Sequence, residues 1–238
     1  MNKSTRKRIL ITGGSGLLAT NWALSMRDVS EITLGLHHRN TSIFGTHSKI
    51  VNLESVSELI QEFENLGCQI VINAAGLTNI EQCESNAALA RHVNVNLASN
   101  VAQACSKLGI QLVHISTDHL FSGQEPLLTE ECPISPLNVY GKTKAEAEFK
   151  VQEIDPRALV IRTNFYGWGT SYRRSFSDII VRSLQLGQEI KLFQDVFYTP
   201  ILIENLAKAV HQLIDLKAAG IFNIVGNDRL SKYEFGCS

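Results

Sequence analysis

Tyr140 and Lys144, in the run Tyr140-Gly141-Lys142-Thr143-Lys144, are the two side chains of this sequence best suited to move a proton together. The sequence predicts a helix over residues 139–153. On a helix an i, i+4 spacing puts phenol and ammonium on one face, where the cation favours the phenolate. Free tyrosine titrates near about 10, so bringing its proton within reach at neutral pH takes roughly 4 kcal/mol of differential interaction. Burial alone works against that shift, so a fixed positive charge is the neighbour such an acid needs. A surface helix on which Tyr and Lys meet by chance is the competing reading. Against it stands a glycine-rich turn far upstream, Thr12-Gly13-Gly14-Ser15-Gly16-Leu17-Leu18-Ala19. Its last six residues fit G-x-G-x-x-G/A and fall between a predicted strand and a predicted helix, as a dinucleotide fingerprint must. The glycines let backbone approach a pyrophosphate, and the helix N-terminus offers free N–H groups and the positive end of its dipole. A tight glycine corner with no ligand remains the alternative. Together, turn and tyrosine point to hydride chemistry.

These groups need a scaffold, and the pattern of the chain supplies one. Apolar, β-branched runs at residues 8–12, 31–36, 49–53, 69–73, 111–116 and 158–163 read as strands. Residues 16–26, 55–66, 87–108 and 139–153 read as helices, with Ser55 and Glu58 matching a capping box. Near-continuous apolar strands alternating with helices specify an α/β fold: a doubly wound parallel sheet (Rossmann fold) covered on both faces. The expected division is a dinucleotide-binding domain over residues 1–165 and a small interleaved substrate lobe over residues 166–238, with residues 220–225 returning to the sheet. A second capping box, Ser231 with Glu234, opens a helix that stops at Ser238, short of the ~12 residues at which an isolated helix becomes marginal. The lobe therefore reads as truncated, with an apolar face that a homodimer would cover.

The second strand bears on the choice of cofactor. An NAD site places Asp or Glu on the ribose hydroxyl about 20 residues after the fingerprint. Leu34-Gly35-Leu36-His37-His38-Arg39 has neither and ends in Arg39, whose guanidinium suits a 2′-phosphate. NADP(H) is favoured over NAD(H). The adjacent His37 and His38 do not converge and lack a third ligand, so they read as exposed loop residues and no metal is expected.

Composition narrows the class. With 238 residues, 44% hydrophobic, 19% charged and a net charge of −1, the chain is a soluble globular protein with no feature calling for nucleic acid. Lys3, Arg6, Lys7 and Arg8 read as a solvated arm, and the apolar run behind them is too short for a signal sequence or a membrane span. Cys68, Cys83, Cys105, Cys132 and Cys237 are odd in number with no Cys-x-x-Cys pair, which fits a reducing cytoplasm. Asn2-Lys3-Ser4 and Asn40-Thr41-Ser42 read as chance matches to the glycosylation pattern.

Asn73-Ala74-Ala75-Gly76, His114-Ile115-Ser116-Thr117-Asp118, Leu137-Asn138-Val139-Tyr140-Gly141-Lys142-Thr143-Lys144 and Tyr233-Glu234-Phe235 carry a resemblance over nearly the whole chain. The chain resembles an extended short-chain dehydrogenase/reductase, and within that group it is similar to the dTDP-4-dehydrorhamnose reductase family of nucleotide-sugar enzymes. The resemblance implies that Tyr140 is the general acid, that Lys144 binds nicotinamide ribose and lowers the tyrosine pKa, and that Thr117 completes the triad, with Ser116 in its place if the register is off by one. It implies cofactor contacts from Gly13, Ser15, Gly16, Leu17 and Leu18 in the turn, from Arg39, Asn52 and Leu53, from Ala74, Ala75, Gly76 and Ser116, and from Tyr140 and Lys144 themselves, with Asn73 bordering them. Substrate contacts would come from Asp118, Asn164 and Phe165. Asn94 either hydrogen-bonds near the site or is a core asparagine tied to backbone. Arg173, Arg174 and Arg182 either meet a pyrophosphate or form a solvated face. Asp195-Val196-Phe197-Tyr198-Thr199-Pro200 departs from the family's Asp-Gln-x-Gly-x-Pro turn at Val196 and Tyr198, which leaves room for a different deoxy-ketosugar. The implied function is NADPH-dependent reduction of the 4-keto group of a nucleotide-linked deoxysugar, in deoxysugar or cell-surface polysaccharide biosynthesis. The alternative is a non-catalytic NADP-binding regulatory subunit or a truncated sugar-nucleotide-binding protein.

Overall fold

Along each central strand the side chains alternate between two apolar layers. Ile9 and Ile11 enter one layer and Leu10 the other, and the same alternation runs through Ile70, Val71 and Ile72 and through Leu159, Val160 and Ile161. A strand buried on both faces needs apolar residues at every position, which is why these segments read as unbroken hydrophobic runs. The computed structural model describes residues 6–170, 172 and 174–238; Lys3, the Asn2-Lys3-Ser4 match and Arg173 lie outside the described residues.

Seven strands form the main sheet: β1 (Lys7–Thr12), β2 (Ser30–Leu36), β3 (His47–Ile50), β4 (Ile70–Asn73), β5 (Gln111–Ile115), β6 (Leu159–Arg162) and β7 (Gly220–Asn223). Their order is β3-β2-β1-β4-β5-β6-β7, and every pairing is parallel. The fold is a doubly wound Rossmann sheet. Helices α1 (Leu17–Met26) and α6 (Ile203–Asp215) close one apolar layer. Helices α2 (Val56–Leu66), α3 (Leu97–Leu108) and α4 (Val139–Ile154) close the other. The chain reverses its direction of winding between β1 and β4, so the carboxyl ends of those strands frame a crevice, the usual ligand position in such sheets. Two further helices, α5 (Phe176–Gln185) and α7 (Lys232–Cys237), lie in the C-terminal part. No helix among the described residues is long and apolar enough to cross a membrane.

The structure departs from the sequence expectations in particular places. The third strand ends at Ile50, because Asn52 folds into a turn that accepts the Glu54 N–H. Only half of the first capping box forms: the Ser55 hydroxyl accepts from the Glu58 N–H, but the Glu58 carboxylate is taken by Asn52. The second box, at Ser231 and Glu234, forms both of its bonds. The helix expected over residues 87–108 is broken by a π-helical turn, His92–Asn96, that buries Asn94. Helices α5 and α6 were not among the expected elements, although Leu206, Ala207, Val210 and Ile214 carry a helical spacing.

One half-buried histidine makes stability depend on pH. Trp22, fully buried, donates its indole N–H to His211 Nε2 at 3.3 Å, so that nitrogen must be bare. Burial pushes the His211 pKa down to about 4, with Asp215 opposing and Lys7 assisting. Unfolded histidine titrates near about 6.5, so as pH falls the unfolded chain takes the proton first. The contribution is therefore intact above about pH 6.5 and is lost toward the folded pKa, by on the order of 2 kcal/mol. Unfolding titrations at descending pH should show this slope, and His211→Gln should flatten it; equal slopes in both proteins would assign the effect elsewhere.

Candidate active site

The turn after β1 must pass close to the end of β4. Gly13 has φ +66°, and a Cβ there would lie 2.9 Å from the Ala74 carbonyl oxygen, so only glycine fits. Gly16 caps α1 without a side-chain bond, which leaves the first N–H groups of that helix free. A cleft of about 520 Å³ runs from this turn to the carboxyl end of β5. At one end it is lined by Gly13, Ser15, Gly16, Leu17, Leu18, Ala74, Ala75 and Gly76. At the other it is lined by Ser116, Thr117, Asp118, Tyr140, Asn164 and Phe165. Segments far apart in sequence thus bring most of the expected site residues together. Asn52 and Leu53 are not brought to this cleft: Asn52 spends its side chain on Glu58 and Glu54, and Leu53 packs against the apolar layer of α2 and α3.

Asn138 caps α4 through the Gly141 N–H at 2.7 Å, and this cap sets Tyr140 in the first turn, facing the cleft. The phenol is hydrogen-bonded to the Thr117 side chain, and the His119 ring meets the tyrosine ring edge-on at 5.6 Å. Thr117 also accepts from the His119 N–H at 3.2 Å. Asn164 donates to Asp118 Oδ2 at 2.8 Å, joining the ends of β5 and β6. One turn along α4, Lys144 is buried behind the tyrosine; its Nζ donates to the Ile115 carbonyl at 2.6 Å and lies 3.4 Å from His114 Nε2.

The electrostatics differ from the sequence expectation. Lys144 was expected to lower the tyrosine pKa, yet burial pushes Tyr140 up to about 12, with the Thr117 hydrogen bond opposing and Asp118 assisting. Burial also brings Lys144 down to about 8, against the pull of Glu148. Each group is biased toward its uncharged form.

The residues fit a dinucleotide. The glycine cradle and the uncapped helix end suit a pyrophosphate. Farther along, Ser116 Oγ and Thr163 Oγ1 are buried without a protein partner while their residues line the cleft. Arg39 stacks its guanidinium 3.8 Å over the Tyr172 ring, and the Tyr172 hydroxyl is hydrogen-bonded to Ser15, which sets Arg39 beside the glycine turn. Arg174 lines the cleft, whereas Arg182 lies in a separate groove beside Trp168.

Asn94 combines both readings open at the sequence level. It clamps the backbone of Leu77 through two bonds and donates to Thr143 Oγ1 at 3.0 Å, linking the loop after β4 to the Tyr140 helix. The π turn is what aims it there. Tyr198, one of the two departures in the family turn, is 8% exposed and packs on Phe235 of α7, with Lys232 Nζ 3.3 Å from its ring centroid. That tyrosine serves an aromatic cluster with Tyr166 and Phe176. Sequence reasoning missed His114, His119 and Thr163. The first two sit within two residues of the Ser116-Thr117 pair already singled out, so proximity to that motif was the available signal.

The profile of the family described as RmlD substrate binding domain matches residues 7–238. A probable low-salt glycan biosynthesis reductase, Agl14, from Haloferax volcanii is 28% identical over 230 residues, covering 95% of this chain and 77% of the relative. Methionine adenosyltransferase 2 subunit beta from Mus musculus is 29% identical over 241 residues, covering 98% of this chain and 71% of the relative. Among solved structures, a dTDP-4-dehydrorhamnose reductase from Bacillus anthracis in complex with NADP superposes with a TM-score of 0.85 at 26% identity, covering 98% of this chain and 80% of that one.

Proposed function

Since the chain belongs to the family described as RmlD substrate binding domain, we propose that it reduces the 4-keto group of a nucleotide-linked deoxysugar with NADPH. The observation that carries this reading is the hydrogen-bonded Thr117–Tyr140 pair on the wall of a cleft whose far end is the glycine cradle. In this reading the α1 N-terminus holds the pyrophosphate, Arg39 the 2′-phosphate, and Ser116 and Thr163 polar groups nearer the reacting end. Bound there, the cofactor supplies the hydride to the carbonyl carbon. Thr117 and Tyr140 hold the carbonyl oxygen between their hydroxyls, and Tyr140 gives its proton to that oxygen as charge develops. Asp118 and Asn164, bonded to each other, border the sugar, and Phe165 offers it an apolar face. Residues 1–165 act as the cofactor half and residues 166–238 as the substrate half. The free thiols of all five cysteines suit a reducing, cytoplasmic setting.

A second reading, a subunit that binds NADP without turnover, is favoured by the similarity to methionine adenosyltransferase 2 subunit beta. Titration with NADPH and NADH by fluorescence, followed by a panel of nucleotide-linked 4-ketosugars with absorbance at the cofactor band, separates the two. Cofactor oxidation supports the reductase; tight NADPH binding with no oxidation across the panel supports the subunit. Failure to bind either dinucleotide overturns both.

A further inference from the structure

Between β6 and α5 the chain crosses back to the cofactor end of the cleft at Tyr172. The ring of Tyr172 lies against Arg39, whose guanidinium carbon is 3.8 Å from the ring centroid. That is van der Waals contact, so the guanidinium rests on the aromatic face rather than aiming an N–H into it. The Tyr172 hydroxyl is hydrogen-bonded to Ser15, which fixes the ring relative to the glycine turn. The turn is itself tied to the end of β2, where the Gly14 N–H donates to the Gly35 carbonyl at 2.9 Å, shortly before Arg39. Three segments distant in sequence thus meet at one corner of the cleft.

Arg39 is exposed, and among the described residues no carboxylate forms an ion pair with it. An exposed arginine with no support samples many rotamers, and ordering it when a ligand arrives weakens the complex. Here the ring orders it beforehand. The N–H donors of a guanidinium lie in its plane, so a ring against one face leaves the donors along its edge available to a phosphate. A carboxylate partner would also fix the side chain, but it would cancel the charge. The aromatic support places the cation and leaves it unneutralised.

We propose that Tyr172 is a positioning residue for cofactor choice: it holds Arg39 in the orientation that receives the 2′-phosphate of NADP(H). This rests on the reading that the cleft takes a dinucleotide with that phosphate at Arg39. NAD(H) carries a hydroxyl in place of the phosphate and gains little from an oriented cation, so removing the ring acts on one dinucleotide and spares the other. The preference for NADP(H) is then shared between two segments. Arg39, after β2, supplies the charge, and Tyr172, from the expected substrate half, supplies its geometry.

Calorimetric titration of the full chain with NADPH, NADH and adenosine 2′,5′-bisphosphate tests this without reference to turnover. Tyr172 is 40% exposed, so its replacement leaves the core intact. Tyr172→Leu keeps apolar bulk but removes the aromatic face; it should weaken NADPH and the bisphosphate by about fivefold and change NADH by less than about twofold. Tyr172→Phe keeps the face and should hold NADPH within about twofold of the unsubstituted protein. In an Arg39→Ala background Tyr172→Leu should have no further effect, because the group it orients is gone. An unchanged NADPH affinity in Tyr172→Leu overturns the proposal, and so do equal losses for NADPH and NADH, which would make Tyr172 a general wall of the cleft. A loss in Tyr172→Phe as large as in Tyr172→Leu would assign the effect to the hydroxyl and overturn the stack as its cause. If the unsubstituted protein binds neither dinucleotide, the cofactor reading fails and this inference with it; if it binds both and Tyr172→Leu leaves their ratio unchanged, this inference alone fails.

Discussion

Tyr140→Phe is expected to lower kcat for ketosugar reduction by about 10³-fold, within the range that a positioned proton donor contributes, while leaving NADPH affinity unchanged. Phenylalanine keeps the edge-on contact with His119 and the packing of the first turn of α4 but removes the hydroxyl that bonds Thr117. The phenol, pushed up to about 12 by burial, is protonated throughout the neutral range, which is the form a reduction consumes. That loading comes at the cost of acid strength. Steady-state kinetics beside a fluorescence titration would check both halves. Retention of more than about a tenth of the activity would remove Tyr140 as the proton donor.

Glu148→Ala is expected to cost about 3–5 kcal/mol of unfolding free energy, because it leaves a buried guanidinium without its partner. Arg162 Nε and Nη2 donate to the Glu148 carboxylate at 3.1 and 2.8 Å, with both side chains nearly inaccessible. Arg162 also faces the Phe121 ring at 5.5 Å. The pair fastens α4, and with it Tyr140 and Lys144, to the end of β6. Replacing both partners with leucine should recover most of the loss, since an apolar pair of similar volume leaves no charge to desolvate. Urea unfolding of the single and double variants measures this. A single-variant loss below about 1 kcal/mol would mean that water reaches Arg162 once Glu148 is gone.

The central strands were legible because burial on both faces demands apolar residues at consecutive positions, as at Ile70, Val71 and Ile72. The glycine turn was legible because a positive φ and a close approach to Ala74 leave one residue type at Gly13. Helices α5 and α6 were not read, since they lie among the loops after β6, where short apolar runs do not separate helix from strand. Asn52 and Leu53 were expected at the cofactor, but the competition between Asn52 and Ser55 for Glu58 takes place within a local turn and has no periodic signature. His114 entered only as part of the run His114 to Asp118 and was given no role of its own, because its partners come from β4 and α4, some 41 and 30 positions away.

The sequence by itself determined the winding of the sheet, the cradle at Gly13 to Leu18, and the placing of Tyr140 and Lys144 one turn apart on a capped helix. Each of these depends on local spacing and on backbone sterics, which a linear chain encodes directly. Only the tertiary structure decided the charge on that pair. A pKa is set by the dielectric and by the charges and donors within a few ångströms, and here those are burial at the carboxyl end of β5, with Thr117 and Asp118 acting on Tyr140 and Glu148 on Lys144. The same two residues on an open helix would titrate as ordinary side chains; folding brings them under the sheet edge, where losing water outweighs the Thr117 hydrogen bond at Tyr140 and the pull of Glu148 on Lys144.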